Sequence, residues 1–541
     1  MKKLLSLFLF VSIYLLQFEL NAQCNSNTFQ KFYGGSGNER AHSIIKTEEG
    51  GYAIVGETDS YGAGGNDFFV LKLDINGVTQ WTKTYGGSAK EDGANIGIIQ
   101  TKDGGYLIHG YTESFGAGST FDSYVVRLDN SGAILWEKRV DGSLYESFRD
   151  IHELSSGAII ITGNTNSLSS GNHDFHVLKL SSAGNIIWSK MYGANGFDQS
   201  IGLTIDAVGN LIISGNTDSY GVGTSESLII KTDSNGTILW EKVIGGSNYD
   251  FTYNTIVLND GNILTVGGTE FGSGGRDIVV YKLSSFGNLI WAKAFGGSQD
   301  DYGINLRQKN NNEIIISANT LSYGNGQQML LFSIDSVGNV NWSKTYGAAL
   351  TDEFERWGLP MELTTDGGII FTGTTENYGA NGQDIYLIKA NGCGESYCNE
   401  QNISLTVTNP PIATLNSNLS VLNGLTLLNT NTLTSTVSFN STLLCDSIVL
   451  SNQEIVNESE NFLLYPNPAS NIFYIENANN DLNNNRIQIF DITGKLVNGY
   501  TVEIENRRVK IDIHNLSVGV YLIDFLNNKG LIKRNKIIKI E

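Results

Sequence analysis

EGGYAIVGETDSYGAGGNDFFVLKLDINGVTQWTKTYGG, residues 49–87, is the stretch whose reading decides the fold. It breaks into short apolar-alternating runs separated by glycine-rich turns. YAIVGET and FFVLKLD read as strands, and Asp74-x-x-Gly77 is the hairpin turn into a third strand, TQWTKTY. Asn76-Gly77 suits such a turn, because its central residues take positive φ. A strand like SIIKT, residues 43–47, precedes the stretch and makes four per unit.

The unit recurs along the chain. Tryptophans fall at Trp81, Trp136, Trp188, Trp240, Trp291 and Trp342, with spacings of 55, 52, 52, 51 and 51. A threonine recurs seven times, at Thr58, Thr112, Thr165, Thr217, Thr269, Thr320 and Thr375. Four strands per repeat at this spacing fit a propeller blade, and the helix-period patterns of helical solenoids are absent. The expected fold is all-β: a seven-bladed β-propeller over 23–392, a linker over 393–461 and a small β-sandwich over 462–541.

The seventh repeat lacks its fourth strand. Residues 27–35, NTFQKFYGG, align with 79–87, and Phe29 takes the place of Trp81. The N-terminal strand is therefore expected to complete the last blade, which would leave no open join. Four cysteines, Cys24, Cys393, Cys398 and Cys445, fit this plan. The repeat offsets place Cys24 and Cys393 both over Asn76, so the expected disulfides are Cys24–Cys393 and Cys398–Cys445. Cys24–Cys398 is the rival pairing.

Composition excludes other classes. The 541 residues carry 35 Lys+Arg against 55 Asp+Glu, a formal net charge of −20. Phosphate neutralisation needs a basic surface, so nucleic acid is not an expected partner. Sixty-two glycines with only five prolines suit many strands with tight turns. At the N-terminus, Lys2 and Lys3 precede an apolar run, Leu4 to Leu16, and then Asn21-Ala22. This pattern is a secretory signal peptide, 1–22, with cleavage after Ala22. No later run is apolar and long enough to span a membrane.

Three charged positions recur. Glu39, Glu91, Glu146, Asp198, Asp250, Asp301 and Asp352 follow the Gly-Gly-Ser turns, each just before the first strand of its repeat. As a ring they could hold a cation, calcium being the ion of choice. Alternatively each accepts backbone N–H groups of its turn. The second reading is favoured, because a feature present in every repeat serves what all repeats share. No other cofactor is expected. Lys31, Lys83, Lys138, Lys190, Lys242, Lys293 and Lys344 stand two residues after each aromatic. They are expected on the outermost strand, where charge discourages edge pairing. Asp67, Asp122, Asp174, Glu226, Asp277, Gln328 and Asp384 open the third strand, and the glutamine argues against a seven-fold metal requirement. His173 and His176 flank Asp174 without a further His or Cys nearby, so a surface loop and strand start is expected rather than a metal site. The last repeat departs most from the pattern at 353–357, EFERW, a pointer to a unique site.

Two resemblances add to this. The Asp74-x-x-Gly77-x-x-x-Trp81 turn loosely resembles quinoprotein-type propeller repeats, which bears on fold and not on a quinone. The C-terminal 80 residues carry Tyr465-Pro466-Asn467-Pro468, then Gly494-Lys495 within IFDITGKLV, then Gly519-Val520-Tyr521 and a basic end. This stretch resembles the type A sorting domain of the type IX secretion system. The resemblance implies export across the outer membrane of a Gram-negative bacterium, the secretion machinery as partner, and release or attachment at the cell surface. No catalytic constellation is legible from spacing. The expected role is non-catalytic binding or adhesion, with a glycan or protein ligand. A polysaccharide hydrolase or lyase with its site at the channel mouth is the alternative. The 393–461 stretch, rich in Asn, Thr, Ser and Leu, reads as an extended tether with short strands.

Overall fold

The computed structural model describes residues 26–447 and 462–539, apart from 116–120, 143, 168–171, 272–273, 349, 356–357, 379–381, 418, 424–425, 431, 466–469, 478–485, 492–496, 498–499, 506–507, 518 and 528–529. The chain divides into two compact units, Met1–Val449 and Leu450–Glu541. All regular elements among the described residues are strands.

The first unit contains seven antiparallel sheets among the described residues. Sheet 1 is built from Glu39–Lys46, Tyr52–Thr58, Asp67–Leu73 and Thr79–Gly86. Sheets 2 to 6 repeat the plan, opening at Glu91, Glu146, Asp198, Asp250 and Asp301. Sheet 7 takes Asp352–Glu353, Met361–Leu363, Ile369–Thr375 and Asp384–Ala390 from one end of the unit. Its fourth strand, Thr28–Gly34, comes from the other end and pairs antiparallel with Asp384–Ala390, Phe29 opposite Lys389.

One bond type joins each sheet to the next. The N–H of the recurring acid donates to the carbonyl just before the third strand of the preceding sheet. Glu91 reaches Asn66 at 2.7 Å, Glu146 reaches Phe121 at 3.1 Å and Asp198 reaches His173 at 2.8 Å. Asp250, Asp301 and Asp352 do the same to Ser225, Arg276 and Gln327. The seventh such bond, Glu39 to Gln383 at 2.7 Å, joins the first sheet to the last.

The middle strands of each sheet are buried on both faces, and apolar side chains fill the space between sheets. The Asp-x-x-Gly turns show why glycine recurs. Gly132 has φ +76°, and a Cβ there would lie 2.9 Å from Trp81 of the previous sheet. Gly184, Gly236, Gly287, Gly338 and Gly394 meet Trp136, Trp188, Trp240, Trp291 and Trp342 in the same way, and Gly77 meets Phe29. Each aromatic thus lies flat against a turn that only glycine can make. A buried tyrosine hydroxyl also ties the turn down, as from Tyr85 to the Gly132 carbonyl at 2.8 Å.

Residues 400–447 hold the largest departure from expectation. Each of seven short strands adds a fifth, outer strand to one sheet. Glu400–Asn402 pairs with Val340–Tyr346 of sheet 6, and Thr406–Thr408 with Leu289–Gly296 of sheet 5. Ala413–Leu415, Ser420–Asn423, Thr426–Asn429 and Leu433–Thr436 follow on sheets 4, 3, 2 and 1. Asn440–Ser447 finishes on Thr28–Gly34 of sheet 7. The segment therefore passes every sheet once, in reverse order, as a belt.

The expectation that the lysines guard open edges is corrected by this belt. The fourth strands are not outermost. Lys344 pairs with Glu400 of the belt at 3.3 Å, and Lys138 and Lys242 donate to the belt residues Asn429 and Asn416. Lys31 and Lys190 instead donate to turn carbonyls of the next sheet, Asn76 at 2.6 Å and Asn235 at 2.7 Å.

Cys398 and Cys445, at the two ends of the belt, form a disulfide. Cys393 is also disulfide-bonded. Its expected partner, Cys24, lies outside the described residues, as does the expected cleavage site after Ala22.

The second unit has a four-stranded and a three-stranded sheet. Phe473, Ile475, Ile489, Val509, Ile511, Ile513 and Ile523 from both sheets share one core. Phe462–Tyr465 pairs with Ile472–Asn477, placing Tyr465 opposite Tyr474. Gly519 opens a long strand in which the Tyr521 hydroxyl donates to the Ser517 carbonyl at 2.7 Å. Pro466, Asn467, Pro468, Gly494 and Lys495 lie outside the described residues.

Candidate functional site: a non-repeating aromatic arc

The recurring acids are fully or almost fully buried. Glu39 accepts the Gly35 N–H at 2.6 Å and the Thr58 hydroxyl at 2.7 Å. Glu91 does the same with Gly87 and Thr112, at 2.7 and 2.6 Å. Asp198 takes the Ala194 N–H at 2.8 Å, the Ser219 hydroxyl at 2.8 Å and the Thr217 hydroxyl. Asp250, Asp301 and Asp352 accept N–H groups from Gly246, Gly297 and Ala348 at 2.7–2.8 Å. Glu146 accepts from Thr165 at 3.1 Å and from Ser167. The recurring threonine is thus the partner of the recurring acid, across the first two strands of each sheet. Burial raises the carboxyls of Asp198, Asp250, Asp301 and Asp352 above the usual range.

The second acid series packs beside the first. A Cβ on Gly86 would meet both Asp67 and Glu91, at 1.5 and 2.5 Å, so the two carboxyls share one small space. Burial, and then the Glu91 charge, push Asp67 up to about 7. In sheet 6 Gln328 replaces the acid, and its amide donates to the carbonyls of Ala348 and Leu350 at 3.2 and 3.1 Å. Among the described residues no group of three or more His, Cys, Asp or Glu is placed to hold a metal ion.

The first strand of most sheets carries a bulge at the third residue after the acid. Pairing skips between Ala41 and Ser43, Phe148 and Asp150, Ser200 and Gly202, Thr252 and Asn254, and Gly303 and Asn305. A bulge frees one side chain from the strand alternation and re-aims it. The skipped residues are His42, Arg149, Ile201, Tyr253 and Ile304, four residue types at one position of a repeated frame. Arg149 is only 7% exposed and sits within electrostatic reach of Tyr145, Tyr111 and Tyr253. Burial, with the Arg149 charge adding to it, pulls His109 down to about 3. The same two causes lower His173.

The sheet joints carry a run of rings. Tyr111 and Phe121 have centroids 4.6 Å apart, Phe121 and Tyr145 6.3 Å. Tyr145 to His173 is 5.3 Å and His173 to Phe197 is 4.7 Å. The five rings meet edge-on or tilted across sheets 2, 3 and 4, and each is partly exposed. A second group, Tyr249, Phe251 and Tyr253, continues on sheet 5, with the Arg276 guanidinium 5.2 Å from the Tyr249 ring centre.

These rings are not required by the repeat. Tyr145, Phe197 and Tyr249 precede the recurring acid, where the other sheets have Asn38, Lys90, Asp300 and Thr351. Phe121 and His173 precede the third strand, where the others have Asn66, Ser225, Arg276, Gln327 and Gln383. His173 therefore belongs to the arc. His176 is buried and meets the Ser189 hydroxyl at 2.9 Å. In the 353–357 stretch Phe354 is buried against Phe371, and Arg356 and Trp357 lie outside the described residues.

Residues 463–540 match the secretion system C-terminal sorting domain. The chain is thereby equipped for type IX export and is a secreted or cell-surface protein. No helix among the described residues is long and apolar enough to cross a membrane. No curated protein matches the chain in sequence. Among solved structures it is similar to a puromycin hydrolase, at 9% identity and TM-score 0.35, covering 63% of this chain and 60% of that one. It is also similar to the tail fiber of Staphylococcus aureus phage P68, at 11% identity and TM-score 0.23, covering 62% and 78%. A glycoside hydrolase of family 32 from Bifidobacterium adolescentis gives 8% identity and TM-score 0.24, covering 69% and 80%.

Proposed function

We propose that the seven sheets are the blades of a closed seven-bladed propeller, and that this propeller is the ligand-binding module of an exported, non-catalytic binding or adhesion protein. Support for closure comes from the seven equivalent joint bonds, the one from Glu39 to Gln383 among them. The observation that carries the functional reading is the aromatic arc. A frame built from repeats gains nothing in folding from five contiguous, partly exposed rings at joints that close equally well with Asn, Ser, Gln or Thr. Side chains that break a repeat on a rigid scaffold are where recognition is placed.

In this reading the recurring acids serve folding, since each carboxylate accepts from protein donors of its own turn or strand pair. The sorting domain delivers the module to the surface or the medium, with the type IX machinery as its partner. The test is to secrete the chain with and without residues 463–540 and to assay the exported product for retention of glycans and proteins alongside product release. Retention without turnover supports the proposal. Sustained product release would replace it with an enzyme.

A further inference from the structure

We propose that the aromatic arc over sheets 2 to 4 is a carbohydrate-binding surface, taking an oligosaccharide chain along Tyr111, Phe121, Tyr145, His173 and Phe197. The inference rests on the binding role proposed above and names its ligand class.

Three observations carry it. First, the rings form one continuous series with centroid spacings of 4.6, 6.3, 5.3 and 4.7 Å. That layout suits an elongated ligand better than a single small molecule. Parallel bridges between His173 and Phe197, and between Ser225 and Tyr249, fix the neighbouring joints. The joint bonds at Phe121 and His173 fix the backbone from which those rings project, which lessens the ordering left for the moment of binding.

Second, the surface is amphipathic on the scale of a sugar. A pyranose has faces of polarised C–H groups and a rim of hydroxyls. The negative face of an aromatic ring attracts the former. The latter need donors and acceptors, and the arc itself carries the phenol hydroxyls of Tyr111 and Tyr145 and the imidazole of His173. An aliphatic protein-docking patch would need no such polar groups, and none of the five rings ranks among the strongly exposed apolar residues.

Third, the arc is confined to part of the circumference. The same joints on sheets 6, 7 and 1 carry polar side chains bonded to each other. Arg40 donates to Gln383 there, and Asn38 donates to Asp59 at 2.8 Å. The change from polar to aromatic therefore marks one sector as different in chemistry, on a frame that is otherwise the same.

The experiment is calorimetric titration of the secreted mature chain with defined oligosaccharides, in one arm of uncharged hexose and N-acetylhexosamine units and in another of uronate units. Saturable binding is expected in one arm, and which arm shows whether the ligand is neutral or acidic. Phe121→Leu and Tyr145→Leu keep apolar bulk and remove the ring. Each is expected to weaken binding about tenfold, the worth of one good aromatic contact, with an unchanged melting temperature. Phe286→Ala, a 76% exposed phenylalanine in a turn at the other end of its sheet, is expected to bind as wild type. If either leucine variant fails to fold, Tyr111→Leu serves the same purpose. Binding that survives all the arc substitutions would overturn this site while leaving the binding role intact. Retention of proteins with no saturable binding in either sugar arm would overturn the carbohydrate class alone. Turnover of the oligosaccharides would overturn the binding role itself.

Discussion

Cys398 and Cys445 are joined across a sequence separation of 47, and the chain between them passes the outer edge of all seven sheets of the first unit. The disulfide therefore buckles a covalent hoop. Its strands are three to eight residues long and largely exposed, so backbone pairing holds them more than burial does. Such pairing also covers sheet edges that would otherwise template aggregation.

Removing the buckle should loosen the hoop. In the chain-entropy model, opening a loop of this length costs about 4 kcal/mol. A Cys398→Ser, Cys445→Ser double variant is expected to melt well below the parent under non-reducing conditions, and to match the parent once both are reduced. Equal melting in the oxidised state would mean that the hoop adds nothing.

The glycine–tryptophan contacts allow a paired comparison. Gly184 and Gly209 have similar φ, +74° and +89°, but a Cβ on Gly184 would lie 3.1 Å from Trp136 while Gly209 faces open space. Gly209→Ala is expected to cost about 1 kcal/mol, the backbone strain alone. Gly184→Ala should cost about 1–3 kcal/mol more, because the tryptophan must move. Chemical denaturation measures both.

The raised carboxyls should contribute stability that falls as pH rises from about 4 to about 7, while His109 and His173, lowered by burial, act in the opposite sense up to about 6.5. Asp67 is pushed up to about 7 by burial and Glu91, and Asp198, Asp250, Asp301 and Asp352 are raised by burial. A carboxyl whose folded pKa exceeds its unfolded value binds more protons in the folded state across the interval between the two. The slope of unfolding free energy against pH is then negative there. Below about 4 the carboxyls held low, such as Asp103 near 2 through Thr101 and Arg127, act in the opposite sense. Asp67→Asn imitates the natural Gln328 of sheet 6. It is expected to raise the melting temperature at pH 8 and to flatten the decline, read by calorimetry at a series of pH values.

The recurring acids should be indifferent to metal. Each accepts hydrogen bonds from backbone N–H groups or from threonine or serine hydroxyls. Millimolar calcium and chelator are therefore expected to give the same melting temperature. Thr58→Val, which leaves one Glu39 oxygen without its hydroxyl, should cost about 1–3 kcal/mol. A calcium-dependent rise in melting temperature would restore the cation reading.

Much of the frame was legible because it repeats. The Trp and Asp-x-x-Gly periods marked the sheets, and Phe29 in a tryptophan position marked the strand that completes sheet 7. The short strands of the belt were expected, but not the sheets they pair with, since three-residue strands give too few alternations to set a register. A faint signal existed: Asn402, Asn409, Asn416 and Asn423 are seven residues apart, as are Leu405, Ile412 and Leu419. These apolar residues pack one each against successive cores. The arc was hidden for a different reason. Its rings are single residues 10 to 28 positions apart, brought together only at the joints between sheets. Arg149 was hidden by the bulge that turns it out of the strand alternation. His173 was noticed for its neighbours in sequence, whereas its partners in space are Tyr145 and Phe197.

The most direct test of the central claim is to incubate the secreted mature protein with an insoluble polysaccharide panel and to measure, in one sample, protein retained and sugar released. Retention on at least one polysaccharide, with no released sugar above the blank after prolonged incubation, is the result expected of a non-catalytic binding module. Release that grows with time and protein concentration would contradict it and make this chain an enzyme.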